Sequence, residues 1–244
     1  MLIKRLLAAF VALTVYTTTF LLGLSTVTVS AQTSCYGNPA CSQTWNFGDP
    51  LFPSRWTHNW AYWDMNKASF AAEDPDNPLQ EWIDVHKDAE TQWNDTSNVH
   101  LIEVGGGGQI SSAMLSGPRY GQDRGDIRAN GSTRIILQLD SSGQYVYCGE
   151  FAFKCISKIR IRINGIKTWH GDDVCSVYDF LNVSMKRTTV HEFGHTMALK
   201  ETFTDTVLPT LSAMEWPTVS EQYLICGNVV KPADALATRY LYGP

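Results

Sequence analysis

Basic residues are scarce in this chain: Lys and Arg total 19 against 24 Asp and Glu, a formal net charge of −5 with no basic stripe. That balance excludes nucleic acid from the expected partners. Charge of either sign is also sparse, at 18% against 11% aromatic residues, which excludes a disordered chain and fits a compact extracellular one. The cysteines contain no C-x-x-C, which argues against a cysteine-based metal site. There is no internal repeat, and the only low-complexity block is Gly105 to Gly108. Those glycines lack the Lys-Ser/Thr or helix start that a phosphate-cradling loop needs, so they read as tight turns.

What is present begins with Lys4 and Arg5, the apolar stretch Leu6 to Leu24 and the small-residue exit Val29-Ser30-Ala31. Basic head, apolar middle and small exit make residues 1–31 a secretory signal peptide cleaved after Ala31, and an uncleaved membrane anchor is the alternative. The expected product is secreted and extracellular, with no membrane association after cleavage. About 213 residues remain of the 244, one domain's worth with room for a real core. Six cysteines behind a signal peptide point to disulfides, which the short loops suggest as Cys35 with Cys41 and Cys148 with Cys155, leaving Cys175 with Cys226. Asn94, Asn130 and Asn182 stand in N-x-Ser/Thr sequons, which matter only in a host that glycosylates.

Residues 32–55 form an N-terminal segment and 56–244 the main domain. Trp45 to Asn66 ends in a first strand, with Trp56, Trp60, Tyr62 and Trp63 crowded together; such a row is more often a core face than a sugar platform. Asp76-Asn77-Pro78 supplies a helix start, and Leu79, Trp82, Ile83, Ala89 and Trp93 at helical spacing make Pro78 to Trp93 an amphipathic helix. Strands follow at Val99 to Val104, Gly125 to Arg128, Arg134 to Leu139 and Ile156 to Ile163, then a helix from Phe180 to Leu199. The expected fold is α+β, a twisted mixed sheet carrying two long helices.

The chemistry is concentrated in His191-Glu192-Phe193-Gly194-His195. On a helix, residues four apart share one face, so His191 and His195 can offer two imidazole nitrogens to one cation, which suits Zn²⁺. Glu192, one residue round, can take a proton from a water that the metal acidifies. A structural His pair is the plain alternative. A hydrolytic zinc usually takes a third protein ligand, and the candidates are His170 upstream and Glu201, Asp205, Glu215 and Glu221 downstream.

The run His191 to Glu201 resembles the extended zinc signature of the metzincins, H-E-x-x-H-x-x-G-x-x-H/D. Ser212-Ala213-Met214-Glu215-Trp216 is similar to that clan's Met-turn, and Asp234 to Gly243 to the C-terminal helix of matrixin-type enzymes. The resemblance covers most of Trp56 to Gly243 and is to secreted matrixin-like zinc endopeptidases, of which this would be a divergent microbial member. It implies a small C-terminal subdomain after the active-site helix and a zinc endopeptidase acting on a protein or peptide substrate as a monomer. Zinc would be held by His191, His195 and Glu201, with Glu192 as general base and Met214 as a hydrophobic floor. Glu215 is the runner-up as third ligand. Calcium, common in the family, would draw on Asp123, Asp126, Asp140, Asp172 or Asp173.

Two departures stand out. The family glycine is Ala198 here, and the third ligand is Glu201 rather than His or Asp. The glycine serves a chain that leaves the helix abruptly, through a conformation costly for a residue with a β-carbon. A helix running on through Leu199 and Lys200 would carry Glu201 about 9 Å beyond His195 along the axis, out of reach of a shared ion. These departures motivate a rival: a non-catalytic secreted binding protein on a metzincin frame that has lost efficient zinc binding. Retention of Glu192 opposes it. The unpaired-cysteine cap of animal matrixins has candidates in Cys35 and Cys41, which their close spacing assigns instead to a disulfide.

Overall fold

The structure, a computed structural model, describes residues 54–124, 129–148, 153–171, 182–199, 213–214, 229–230 and 232–242. In chain order these form β1 (Ser54–Arg55), β2 (Trp60–Met65), α1 (Lys67–Glu73), α2 (Leu79–Thr96), β3 (His100–Glu103), β4 (Ile110–Leu115) and α3 (Gly117–Arg124). Then come β5 (Gly131–Leu137), β6 (Tyr147–Cys148), β7 (Phe153–Asn164), β8 (Thr168–His170), β9 (Asn182–Ser184), α4 (Met185–Thr196) and α5 (Pro232–Tyr242).

β7 organises the sheet because its later half alternates strictly. Ile159, Ile161 and Ile163 are fully buried, while Arg160 between the first two and Lys158 just before them are exposed and Arg162 is half-buried. It runs parallel to β4 and antiparallel to β5, and its first residues pair with β1 and β6. β2 continues the sheet, parallel to both β4 and β3. The main order is therefore β3-β2-β4-β7-β5, mostly parallel, with β5 the antiparallel strand at one edge. β8 and β9 make a separate parallel pair.

α2 and α4 pack together on one face of this sheet. α2 buries Trp82, Ile83, Val85, His86, Ala89 and Trp93, a stripe at helical spacing. Each buried tryptophan removes about 150–250 Å² from water, an upper bound of roughly 4–6 kcal/mol. His86 is wholly buried among Trp63, Phe70 and Phe193. Its Nδ1 lies 2.8 Å from the Trp82 carbonyl and its Nε2 2.9 Å from Ser112 Oγ. A carbonyl only accepts, so Nδ1 carries the proton and the serine hydroxyl donates to Nε2. Burial pushes its pKa down to about 4.

Several expectations are adjusted. The helix expected from Pro78 starts at Leu79 with Pro78 at the N-cap and without a side-chain cap; Asn77 instead donates to the Asp74 carboxylate. The helix expected over Phe180 to Leu199 is shorter, because Asn182–Ser184 is extended in β9 and Ser184 Oγ caps the start by accepting from Arg187 N. β4, β6, β8, α1 and α3 are additions. Of the crowded aromatics, Trp56 and Trp63 are buried, whereas Trp60 and Tyr62 are each 39% exposed. The Asn94 amide is bound on both sides by the Leu101 backbone, 2.7 and 2.8 Å away.

Cys148 and Cys155, paired in the sequence reading, are free thiols here. They are diagonal rather than opposite across the β6–β7 ladder: Cys148 faces Phe153, while Cys155 N donates to Val146 O. Burial, and then the neighbouring Cys155, push the Cys148 thiol up to about 12. Cys35, Cys41, Cys175 and Cys226 lie outside the described residues, as do the 125–128 strand and the 1–53 segment. Among the described residues no helix is long and apolar enough to cross a membrane.

Candidate metal centre

α4 reads Met-Lys-Arg-Thr-Thr-Val-His-Glu-Phe-Gly-His-Thr, a poor helix former on propensity, with three consecutive β-branched residues. Packing overrides that: every residue from Thr188 to Thr196 is buried. A helix buried all round is normally apolar, yet this one carries His191, Glu192 and His195 inside. Such polar burial is costly unless each group has a partner.

Both imidazoles have their inner nitrogen fixed by a main-chain carbonyl. His191 Nδ1 is 3.0 Å from Ala213 O, and His195 Nδ1 is 2.8 Å from Leu199 O. Each Nδ1 therefore carries the proton in the neutral ring, and Nε2 is the unprotonated nitrogen of each, the one able to bind a cation. The ring centroids are 4.8 Å apart and the planes nearly perpendicular, at 87°. This donor set fits zinc: two neutral imidazoles, oriented by carbonyls behind them, on one helix face.

The Leu199 carbonyl reaches His195 because the chain turns back at Ala198. Ala198 has φ 62°, the left-handed region that favours glycine, and is the only described non-glycine residue there. Its N–H donates to His195 O at 3.0 Å and Leu199 N–H to Gly194 O at 3.4 Å, the paired bonds of a Schellman turn. The helix thus stops at Thr196 and does not run through Leu199, which removes the geometric objection raised by the missing glycine. The last carbonyls are also held: Trp56 Nε1 donates to Thr196 O at 2.8 Å and Tyr242 Oη to Met197 O at 3.4 Å. Burial pushes the Tyr242 phenol well above its ordinary range, so it stays a donor.

The Ala213–Met214 turn lies against α4. Met214 is fully buried, and a β-carbon added to Gly194 would collide with its sulfur and with the Trp93 ring. Trp93 Nε1 in turn donates to Val190 O at 2.9 Å. Asp234, fully buried in the first turn of α5, accepts from Ala213 N at 2.8 Å. The peptide groups of residue 213 thus tie α5 to His191.

Glu192 is 3% exposed and lies against β5. Thr133 Oγ1 donates to its Oε2 at 2.7 Å, and a β-carbon on Gly131 would stand 2.7 Å from its Oε1. One carboxylate oxygen is thus held, while the glycine leaves the other in space that a side chain would fill.

Glu201 and Glu215, the two candidates for a third ligand, lie outside the described residues, as do Asp205 and Glu221. His170 ends β8 opposite Ser184. Among the described residues no third His, Cys, Asp or Glu joins the histidine pair. Of the calcium candidates, Asp140 is engaged by Ser142 and Gln144 in a turn, which lowers its pKa, and Asp123 is 3.9 Å from Arg162. Asp126, Asp172 and Asp173 lie outside the described residues. Thr133, Gly131 and Asp234 were not singled out from the sequence, because their link to the motif is made only by strand register and helix packing. No protein-family model matches the chain, and no curated protein matches it.

Proposed function

We propose that this protein is a secreted, matrixin-like metzincin: a zinc-dependent endopeptidase. The observation that carries the reading is the pair of Nδ1 bonds to Ala213 O and Leu199 O, which leave Nε2 as the unprotonated nitrogen of each imidazole beside the buried Glu192. A merely structural histidine pair has no need of a neighbouring buried carboxylate. In this reading His191 and His195 hold the zinc, with Glu201 as third ligand and Glu215 as runner-up. When bound, zinc acidifies water and polarises the scissile carbonyl.

Glu192 is the general base. With Oε2 occupied by Thr133, Oε1 takes the proton of the attacking water and later delivers it to the leaving amine. Thr133 orients the carboxylate, and Gly131, lacking a β-carbon, lets the Glu192 side chain pack close against β5. Among the described residues β5 pairs only with β7, so its outer edge can add an extended peptide as a further strand beside Glu192. The non-catalytic rival loses one of its two motives, since Ala198 makes the turn that the family glycine makes.

Casein cleavage by the mature chain from Gln32 onward, with zinc, tests the reading. Wild type is expected to cut, and Glu192→Ala to lose about 10²- to 10⁴-fold in kcat. Equal cutting by both would remove Glu192 from the chemistry.

A further inference from the structure

β5 continues past its contact with Glu192. Thr133, which holds that carboxylate, is followed on the same side of the strand by Ile135 and Leu137, both half-buried. The alternation is kept because the irregularity of the β5–β7 ladder lies in β7, where Ser157 is passed over. Beyond Gln138, whose N–H still donates to Cys155 O, the chain leaves β7, turns at Asp140 to Gly143 and returns as β6 to pair with the same β7. The turn is held firmly: the Asp140 carboxylate accepts from Ser142 N, Ser142 Oγ and Gln144 N, and Gly143 takes φ 80°. Across this hairpin Leu139 faces Tyr145, and Tyr147 follows two residues on. The three are 53%, 47% and 51% exposed, an apolar cluster at the end of β5. The Lys154 ammonium sits 4.6 Å from the Tyr145 ring centroid, and Lys154 is the ladder partner of Tyr147, so the rings are braced in place.

We propose that the row from Ile135 through Leu137 and Leu139 to Tyr145 and Tyr147 is an extended substrate subsite. It selects unfolded polypeptide segments that carry large aromatic or aliphatic side chains at alternate positions on the N-terminal side of the cleaved bond. The inference rests on the peptidase reading and deepens it. A peptide added to the outer edge of β5, open among the described residues, pairs with it residue by residue, and side chains opposite each other lie on one side and pack. Antiparallel pairing is the more stable per residue. It sets the residues two, four and six places before the one facing Thr133 against Ile135, Leu137 and Leu139. Leu139 stands six residues from Thr133, about 20 Å of extended chain, so the selection reaches well beyond the reacting bond and requires a long unfolded segment. The two tyrosines supply flat apolar area at the far end with little rotamer freedom to lose. Continuity with the edge beside Glu192 assigns the cluster to the substrate rather than to a separate partner.

The test is cleavage of long random-sequence peptides by the mature chain from Gln32 onward, with zinc, the new termini being read by mass spectrometry. Large apolar side chains are expected at alternate positions before the cut. The best-cut sequence is then compared as a long peptide and as one truncated to the residues nearest the bond. Tyr145→Ser with Tyr147→Ser should raise KM for the long peptide by about tenfold and leave its kcat unchanged, because these contacts are the same in the ground and transition states. The truncated peptide should be cut as by wild type, and zinc content should stay the same. Tyr145→Phe with Tyr147→Phe should keep the wild-type KM. If the serine variant fails to fold, Leu139→Ser reads the same selective loss. Cutting without alternation, or an equal loss on both peptides, would overturn the proposal and leave the peptidase reading standing. No cutting of any peptide by the zinc-loaded chain would overturn that reading, and this inference with it.

Discussion

Ala198 sets the position of His195. By turning left-handed at φ 62° it brings the Leu199 carbonyl to 2.8 Å from His195 Nδ1. The turn is made by a residue that pays a steric cost for it, roughly 1 kcal/mol for alanine relative to glycine. Ala198→Gly should therefore raise the thermal midpoint by about 2–4 °C without altering zinc affinity. A lower midpoint in a melting experiment would mean that the residue is not left-handed in solution.

Gly194 is required by its neighbours rather than by its own backbone. A methyl group there meets Met214 and Trp93, both fully buried. Gly194→Ala should cost about 1–3 kcal/mol in denaturant unfolding, and adding Met214→Ala should recover part of that loss. Strict additivity of the two substitutions would show that the sulfur is not the obstacle.

Asp234 positions His191 through the peptide groups of residue 213. Asp234→Ala leaves the buried Ala213 N–H without an acceptor, at about 1–3 kcal/mol, and loosens the carbonyl that orients the imidazole. Zinc affinity should fall about 10- to 100-fold, with Asp234→Asn retaining most of it. Equal affinity in a chelator competition would leave Asp234 a purely structural residue.

His86 makes stability depend on pH. Its folded pKa, about 4, lies below the ordinary 6.5, so between these values the unfolded chain binds the extra proton. The stability present above about pH 6.5 is lost as pH falls toward 4, by roughly 3 kcal/mol in total. Denaturant midpoints from pH 7 to 4 should show this slope, and His86→Gln should flatten it. An equal slope in the variant would assign the effect to other groups.

The sequence made legible whatever depends on local spacing. The His191–His195 pair, the alternation in β7 and the apolar stripe of α2 all repeat at the period of their element. The left-handed turn was harder to read because it lacks glycine, and only packing by Trp56, Tyr242 and Leu199 enforces it. Thr133 reaches Glu192 across 59 residues and Asp234 reaches Ala213 across 21, links that no local pattern carries. α3 was hidden by its own composition: Gly117-Pro118-Arg119-Tyr120-Gly121 reads as a breaker, yet burial of Tyr120 anchors it.

Zinc content of the mature chain, measured by elemental mass spectrometry after gentle purification, decides whether the His191–His195 pair is a metal centre. About one zinc per wild-type chain is expected, lost in both His191→Ala and His195→Ala and retained in Glu192→Ala. A wild-type chain free of zinc, or one whose zinc survives both histidine substitutions, would contradict it.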